Sequence, residues 1–217
     1  MKYRAVIFDL DGTLLDTIDD LLDNLEHAFK SLNMRGGFSR QEMESFLGSG
    51  KKAQVERALL ARGYGLDRYD ELNQALSIRY ELNAENKTKP FEGIVSLLAS
   101  LKQKGVEAFC LTNKPHDVAV KVTKAYFPSL LVATYGIRPN SPVKPDPVLV
   151  DNMLKAHGLN RENTLYVGDS DVDMMTANQG GLDSVFVTWG YVRQEQVEQY
   201  RPKYIVSSPA DIMNIIE

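Results

Sequence analysis

The chain has 217 residues, 43% hydrophobic and 25% charged. These are the proportions of an ordinary globular protein with room for one sizeable domain, or for a core domain with a smaller insertion. A formal net charge of −4 gives no electrostatic basis for binding nucleic acid or an anionic membrane, no apolar run approaches the ~18 residues that span a bilayer, and the single cysteine, Cys110, excludes an intrachain disulfide.

Residues 1–4 lead straight into a strand pattern without room for a secretory signal, so a cytoplasmic location is expected. The apolar run at 6–8 reads as a buried strand that ends in Asp9-Leu10-Asp11-Gly12-Thr13-Leu14. The pattern then turns helical. Ile18, Leu21, Leu22, Leu25, Phe29 and Leu32 recur at three- and four-residue steps until Gly36-Gly37. Ser39 and Glu42 form a capping-box pattern opening a short helix that carries Met43, Phe46 and Leu47. A third helix is predicted over 51–62, stopped by Gly63, and a fourth from about Asp67, with Tyr69, Leu72, Leu76 and Tyr80.

Beyond Pro90, strand and helix alternate. The predicted order is helix 93–104, strand 106–111, a helix opened by Pro115 and ended by Pro128, and strand 130–135. A helix capped by Asp146-Pro147 then runs to His157-Gly158. Strand 164–167 follows, then a helix to Gly180-Gly181, strand 184–188, strand 204–206 and a last helix after Ser208-Pro209. This is an α/β pattern. It predicts a Rossmann-like parallel sheet with helices on both faces, built from 1–15 and 85–217, with an inserted α-helical cap over 16–84.

Ligands of such sheets bind beyond the carboxyl ends of the strands. Asp9 and Asp11, Thr112-Asn113-Lys114, and Gly168-Asp169-Ser170 each follow a predicted strand, so all three sets are expected on one face. Asp9 and Asp11, one residue apart in an extended segment, project the same way and repel; a divalent cation, or a proton on one carboxyl, relieves this. Asp and Gly are also ordinary turn residues, so that segment alone is equally a turn. Asp169 and Asp173 begin a helix, where acidic residues suit the dipole, but joined with Asp9 and Asp11 they make an all-oxygen set suited to a hard cation. Thr112 and the helix start behind it can hold an anion, and Lys144, stiffened by Pro142, Pro145 and Pro147, is a candidate phosphate clamp. No G-x-S-x-G occurs, and His27, His116 and His157 lack triad context.

Asp9-Leu10-Asp11-Gly12-Thr13, Leu111-Thr112-Asn113-Lys114, Lys144-Pro145 and Gly168-Asp169-Ser170 through Asp173 resemble, in order, the four motifs of the haloacid dehalogenase-like hydrolases. Asp16-Thr17, Thr112–Pro115 and Trp189-Gly190-Tyr191 resemble the phosphoglycolate phosphatase branch, and Phe91-Glu92 departs from the Tyr-Pro frequent in relatives. The resemblance implies a Mg2+-dependent phosphatase of a small phosphorylated metabolite, monomer or homodimer. Asp9 would be the nucleophile and Asp11 the acid/base. Magnesium would be bound by Asp9, the Asp11 carbonyl and Asp169. Asp11, Gly12, Thr112, Asn113 and Lys144 would hold the phosphoryl oxygens; Thr13 and Asp173 would be supporting, Asp173 by orienting Lys144 or a metal-bound water.

In the cap, Gly48-Ser49-Gly50-Lys51-Lys52 precedes a helix, and Ser49, Gly50 and Lys51 are candidates to meet the non-phosphate end of the substrate. The same loop reads equally as an interhelical turn with solvated lysines. Ser45 and Lys52 do not fit a nucleotide P-loop. A pyrophosphatase, a sugar phosphomutase and a non-catalytic phosphate-binding relative remain the alternatives.

Overall fold

A computed structural model describes residues 1–47, 50–83 and 86–216. The chain divides into two compact units, Met1–Asp16 with Pro90–Glu217, and Thr17–Lys89. The first holds β1 (Ala5–Phe8), β2 (Leu15–Asp16) and, after the second unit, α5 (Ile94–Gln103), β4 (Glu107–Pro115), α6 (His116–Tyr126), β5 (Ala133–Ile137), α7 (Val148–His157), β6 (Thr164–Gly168), α8 (Asp171–Gln179), β7 (Asp183–Val187), α9 (Gln194–Val197), β8 (Tyr204–Val206) and α10 (Pro209–Ile216). The second holds α1 (Ile18–Ser31), α2 (Arg40–Phe46), α3 (Gly50–Ala61) and α4 (Tyr69–Asn83); a two-residue strand, β3 (Lys89–Pro90), lies where it ends.

The main sheet has six strands in the order β5-β4-β1-β6-β7-β8, and its pairings are parallel. It is an α/β, Rossmann-like sheet. The chain starts at β1 in the middle, builds outward through β4 and β5, then returns to the other side of β1 for β6, β7 and β8. The order therefore reverses beside β1, and such a switch point opens a crevice at the carboxyl ends of β4, β1 and β6. Alternate residues of a strand face opposite sides, and all four residues of β1 are fully buried, so both faces of the sheet are covered. On one face Ala5, Ile7, Phe109, Leu111 and Tyr166 pack with Val150, Met153 and Leu154 of α7 and Ala177 of α8.

Several boundaries differ from the expected ones. β4 runs on through Thr112, Asn113 and Lys114 to Pro115, and α6 starts at His116 rather than at the proline. β5 lies at Ala133–Ile137 rather than 130–135. The first helix ends at Ser31, with Leu32 at its C-cap, and Asn33 follows at φ 54. Leu32 carries the apolar period one residue past the helix end.

In the second unit, Leu21, Leu25, Phe29, Phe38, Met43, Phe46, Val55, Leu59, Leu72 and Leu76 are buried. Phe38 makes edge-on contacts with Phe29 (centroids 4.9 Å apart) and Phe46 (5.6 Å). The capping box expected at Ser39 and Glu42 is formed in both directions. The buried Asp20 carboxylate accepts the backbone N–H groups of Lys87 (2.8 Å) and Thr88 (2.6 Å) and the Thr88 hydroxyl (2.7 Å). One side chain near the start of this unit thus satisfies the backbone near its end.

Candidate active site

The site begins where β1 runs out. Asp9 continues the ladder, its N–H donating to Val167 of β6 (2.9 Å), and the chain then turns around the Leu10 carbonyl, which accepts from Leu14 (3.0 Å) and Leu15 (2.9 Å). Gly12 sits in this turn at φ 88, and a Cβ there, or at Gly190, would collide with the Asp169 side chain. Both positions need glycine because Asp169 is packed against backbone from two directions.

β4 contributes through an irregularity. Leu111 pairs with Tyr135, but the next partners are Pro115 and Ile137, so four steps along β4 match two along β5. A bulge of this kind re-aims side chains. The Thr112 hydroxyl accepts from the Lys114 N–H (3.2 Å). Asn113 clamps the backbone of Lys144, its Oδ1 accepting from the Lys144 N–H (2.8 Å) and its Nδ2 donating to the Lys144 carbonyl (3.2 Å). Lys114 is buried and reaches both carboxylate oxygens of Asp11, at 2.8 and 3.1 Å.

The buried Lys144 ammonium donates to Asp9 (2.7 Å) and to Asp173 Oδ1 (2.8 Å). Asp173 Oδ1 also accepts from the Tyr166 hydroxyl (3.0 Å), while Oδ2 accepts from the Ser170 N–H (3.1 Å) and hydroxyl (2.6 Å). Asp169 accepts from the Thr13 hydroxyl (3.0 Å) on one oxygen and the Tyr191 N–H (2.8 Å) on the other. Trp189 Nε1 donates to the Thr13 carbonyl (3.1 Å), tying the loop after β7 to the one after β1.

These groups are strongly coupled. Burial, with the neighbouring Asp173 charge, pushes the Asp9 carboxyl up to about 7 although Lys144 pulls the other way. Burial, then Asp173 and Asp9, raises Asp169 well above the usual carboxylate range. Burial would lower the Lys144 ammonium, but Asp173 and Asp9 overcome it and hold the group well above its ordinary value. Burial also drives up the thiol of the buried Cys110.

Oxygens of Asp9, Asp169 and Asp173 lie within 4.8 Å of one another. Three buried carboxyls facing one lysine can all ionise only beside further positive charge, and an all-oxygen donor set suits a hard divalent cation. The cluster can hold a metal ion. Asp173 is the least available of the three, because it accepts four hydrogen bonds, from Lys144, Tyr166 and twice from Ser170, against two at Asp169.

The structure thus gathers Asp9, Asp11, Gly12, Thr13, Thr112, Asn113, Lys144, Asp169 and Asp173 around the ends of β1, β4 and β6. In the second unit, Gly50 opens α3, and Lys51 is engaged with α4, donating to the Asn73 carbonyl (3.3 Å) and the Ser77 hydroxyl. Ser49 lies outside the described residues. Sequence reasoning assigned no role to Lys114, Tyr166 or Tyr191. Lys114 is two residues from Thr112 on the strand, a spacing that hinted at a shared face; Tyr166 looked like one more apolar strand residue.

A buried carboxylate cluster with one lysine thus stands at the switch point of a parallel α/β sheet. Residues 6–187 match the family model of haloacid dehalogenase-like hydrolases, and the chain belongs to that family of enzymes. A phosphoglycolate phosphatase from Mesorhizobium japonicum is 30% identical over 95% of this chain and 92% of its own. The pyrophosphatase PpaX of Halalkalibacterium halodurans is 24% identical over 100% of this chain and 98% of its own. A crystal structure from Lactobacillus delbrueckii subsp. bulgaricus, provisionally assigned as a phosphoglycolate phosphatase, superposes with a TM-score of 0.93 at 29% identity, covering 100% of this chain and 99% of that one. No helix among the described residues is long and apolar enough to cross a membrane.

Proposed function

We propose that the protein is a Mg2+-dependent phosphatase of small phosphate monoesters that hydrolyses 2-phosphoglycolate through an aspartyl-phosphate on Asp9. The observation that carries this reading is the buried Asp9 carboxylate at the end of the central strand, 2.7 Å from the Lys144 ammonium and in one cluster with Asp169. The curated relative from M. japonicum supports the choice of substrate.

In the first half-reaction an Asp9 oxygen bonds to phosphorus, the bond from phosphorus to the ester oxygen breaks, and that oxygen takes its electron pair and a proton from Asp11. In the second, water attacks the aspartyl-phosphate, Asp11 takes the proton of that water, and inorganic phosphate leaves as the Asp9 carboxylate is restored. Lys144, the Thr112 hydroxyl and the backbone N–H of Asn113 hold the phosphoryl oxygens, while the Gly12 N–H is engaged with the Leu15 carbonyl (2.9 Å). Asp173, with Tyr166 behind it, aims Lys144. Asp9, the Asp11 carbonyl and Asp169 would hold magnesium, which when bound neutralises charge that otherwise keeps nucleophile and phosphate apart. Thr13 and Tyr191 fix the Asp169 carboxylate for that task. The unit Thr17–Lys89 would be the inserted cap of such an enzyme.

The test is phosphate release from 2-phosphoglycolate, pyrophosphate, β-glucose 1-phosphate, a nucleoside monophosphate and an aryl phosphate, with magnesium and with EDTA, beside Asp9→Asn. Magnesium-dependent release that the variant abolishes, fastest on 2-phosphoglycolate, is expected. Turnover surviving in Asp9→Asn would remove the aspartyl-phosphate. A preference for pyrophosphate would favour the second reading, to which the similarity with the H. halodurans enzyme points.

A further inference from the structure

Lys114 is a buried cation outside the phosphate clamp, and its ammonium spans both oxygens of Asp11 at 2.8 and 3.1 Å. Its side chain is 1% exposed, whereas that of Asp11 is 22% exposed. The fixed partner is therefore the lysine, and the carboxyl it holds faces outward. The backbone that carries it is unusual too, since the bulge between Leu111 and Pro115 sets how the end of β4 is aimed. An acid/base that first gives a proton and later takes one must keep its carboxyl plane through both steps. An ammonium bridging both oxygens does this, because whichever oxygen carries the proton, the other is still held.

We propose that Lys114 is a positioning residue for leaving-group protonation, setting the direction from which Asp11 meets the ester oxygen. This rests on the reading of Asp11 as acid/base. The bond that Lys114 influences is the one breaking between phosphorus and the ester oxygen, whose electron pair receives the Asp11 proton. A glycolate or glycerol oxygen leaves poorly without that proton. A nitrophenolate leaves well without it. Dependence on Lys114 should therefore follow the leaving group.

Lys114→Met is compared with wild type on 2-phosphoglycolate, glycerol phosphate and p-nitrophenyl phosphate at saturating magnesium, with Asp11→Asn in parallel. General acid catalysis contributes roughly 10²–10⁴-fold, so the expected result is a kcat loss of about 10²-fold on both alkyl esters, no more than about threefold on the aryl ester, and KM values little changed. Equal losses on all three substrates, or none, would overturn the proposal. So would a KM rise confined to 2-phosphoglycolate with kcat kept, which would make Lys114 a receptor for the substrate carboxylate. Asp11→Asn separates the two levels. If it shows the alkyl-selective loss and Lys114→Met does not, Lys114 alone is wrongly placed; if Asp11→Asn lacks the selectivity, the acid/base reading falls with it. Lys114→Gln, which keeps a donor at shorter reach, is expected to lie between wild type and Lys114→Met, and provides the same comparison should the methionine variant misfold.

Discussion

In the first unit Asp9, Lys144, Asp169 and Asp173 are buried and bonded to one another or to their supports. In the second, Arg40 with Asp19 and Lys87 with Asp23 pair where each side chain is about half exposed or more, 46% and 53%, 52% and 50%. Exposed pairs are worth roughly 0–1 kcal/mol, because water screens them and two long side chains must be held still. Buried pairs carry a desolvation cost that only their partners offset. The core unit thus buries its bonded charges at the strand ends, while the inserted unit draws its cohesion from the aromatic and leucine core around Phe29 and Phe38. Asp20 and Arg62 depart from this pattern in the second unit. Asp20 is buried on the backbone at Lys87 and Thr88, and Arg62 stacks 3.9 Å over the Phe38 ring while bonding Glu42 at 2.8 Å.

The sharpest way to break this contrast is to remove one cation from each unit. Lys144→Ala strands two buried carboxylates and is expected to cost about 3–5 kcal/mol in a urea titration with EDTA, whereas Arg40→Ala should cost less than about 1 kcal/mol. Equal costs would erase the distinction. A smaller effect is expected at Asp20. Asp20→Ala leaves the N–H groups of Lys87 and Thr88 without their acceptor, with a loss of about 1–3 kcal/mol and faster protease cleavage near residues 86–89. Unchanged cleavage would mean that Asp20 does not fasten that segment.

The smallest effect is acid-dependent. Burial works against ionisation of Asp183, but hydrogen bonds from Lys2, Lys203 and Tyr3 outweigh it and hold the carboxyl well below the usual range. In the second unit Arg62 and the Ser39 N–H bring Glu42 down to about 2. A carboxyl depressed by folding stabilises the native state above its unfolded pKa, and that contribution fades as pH falls through the folded value. Asp183→Asn and Glu42→Gln should therefore lower Tm by a few degrees at most at pH 7. The gap to wild type should shrink below about pH 4, where the unfolded carboxyls begin to take up protons. A gap that widens on acidification would contradict both assignments.

Much of the site was legible because it stands at strand ends, where an apolar run breaks into polar residues with recognisable spacing. Asp9, Asp11, Thr112, Asn113, Asp169 and Asp173 stand out this way, and the alternation of strand and helix predicts that the strand ends share a face, whereas Lys144 stands out only by the prolines that stiffen its loop. The end of β4 was harder. Thr112 to Pro115 reads as a polar turn, yet these residues stay in the sheet because β5 pairs with them across the bulge. Lys51 looked like a solvent-facing or substrate-facing cation, and helix period alone did not reveal that α4 supplies its acceptors.

What the sequence determined by itself is the parallel α/β order, the inserted helical block and the set of candidate site side chains, since these follow from local hydrophobic period and from residues whose chemistry is unusual at those positions. What only the tertiary structure decided is which charge faces which. Lys144 bridges Asp9 and Asp173, Lys114 takes Asp11, Tyr166 backs Asp173, and the loop at Tyr191 closes on Asp169. Those pairings join residues up to 135 positions apart. They depend on strand order, on a bulge and on burial, and the electrostatic consequences appear only when water is removed from around them.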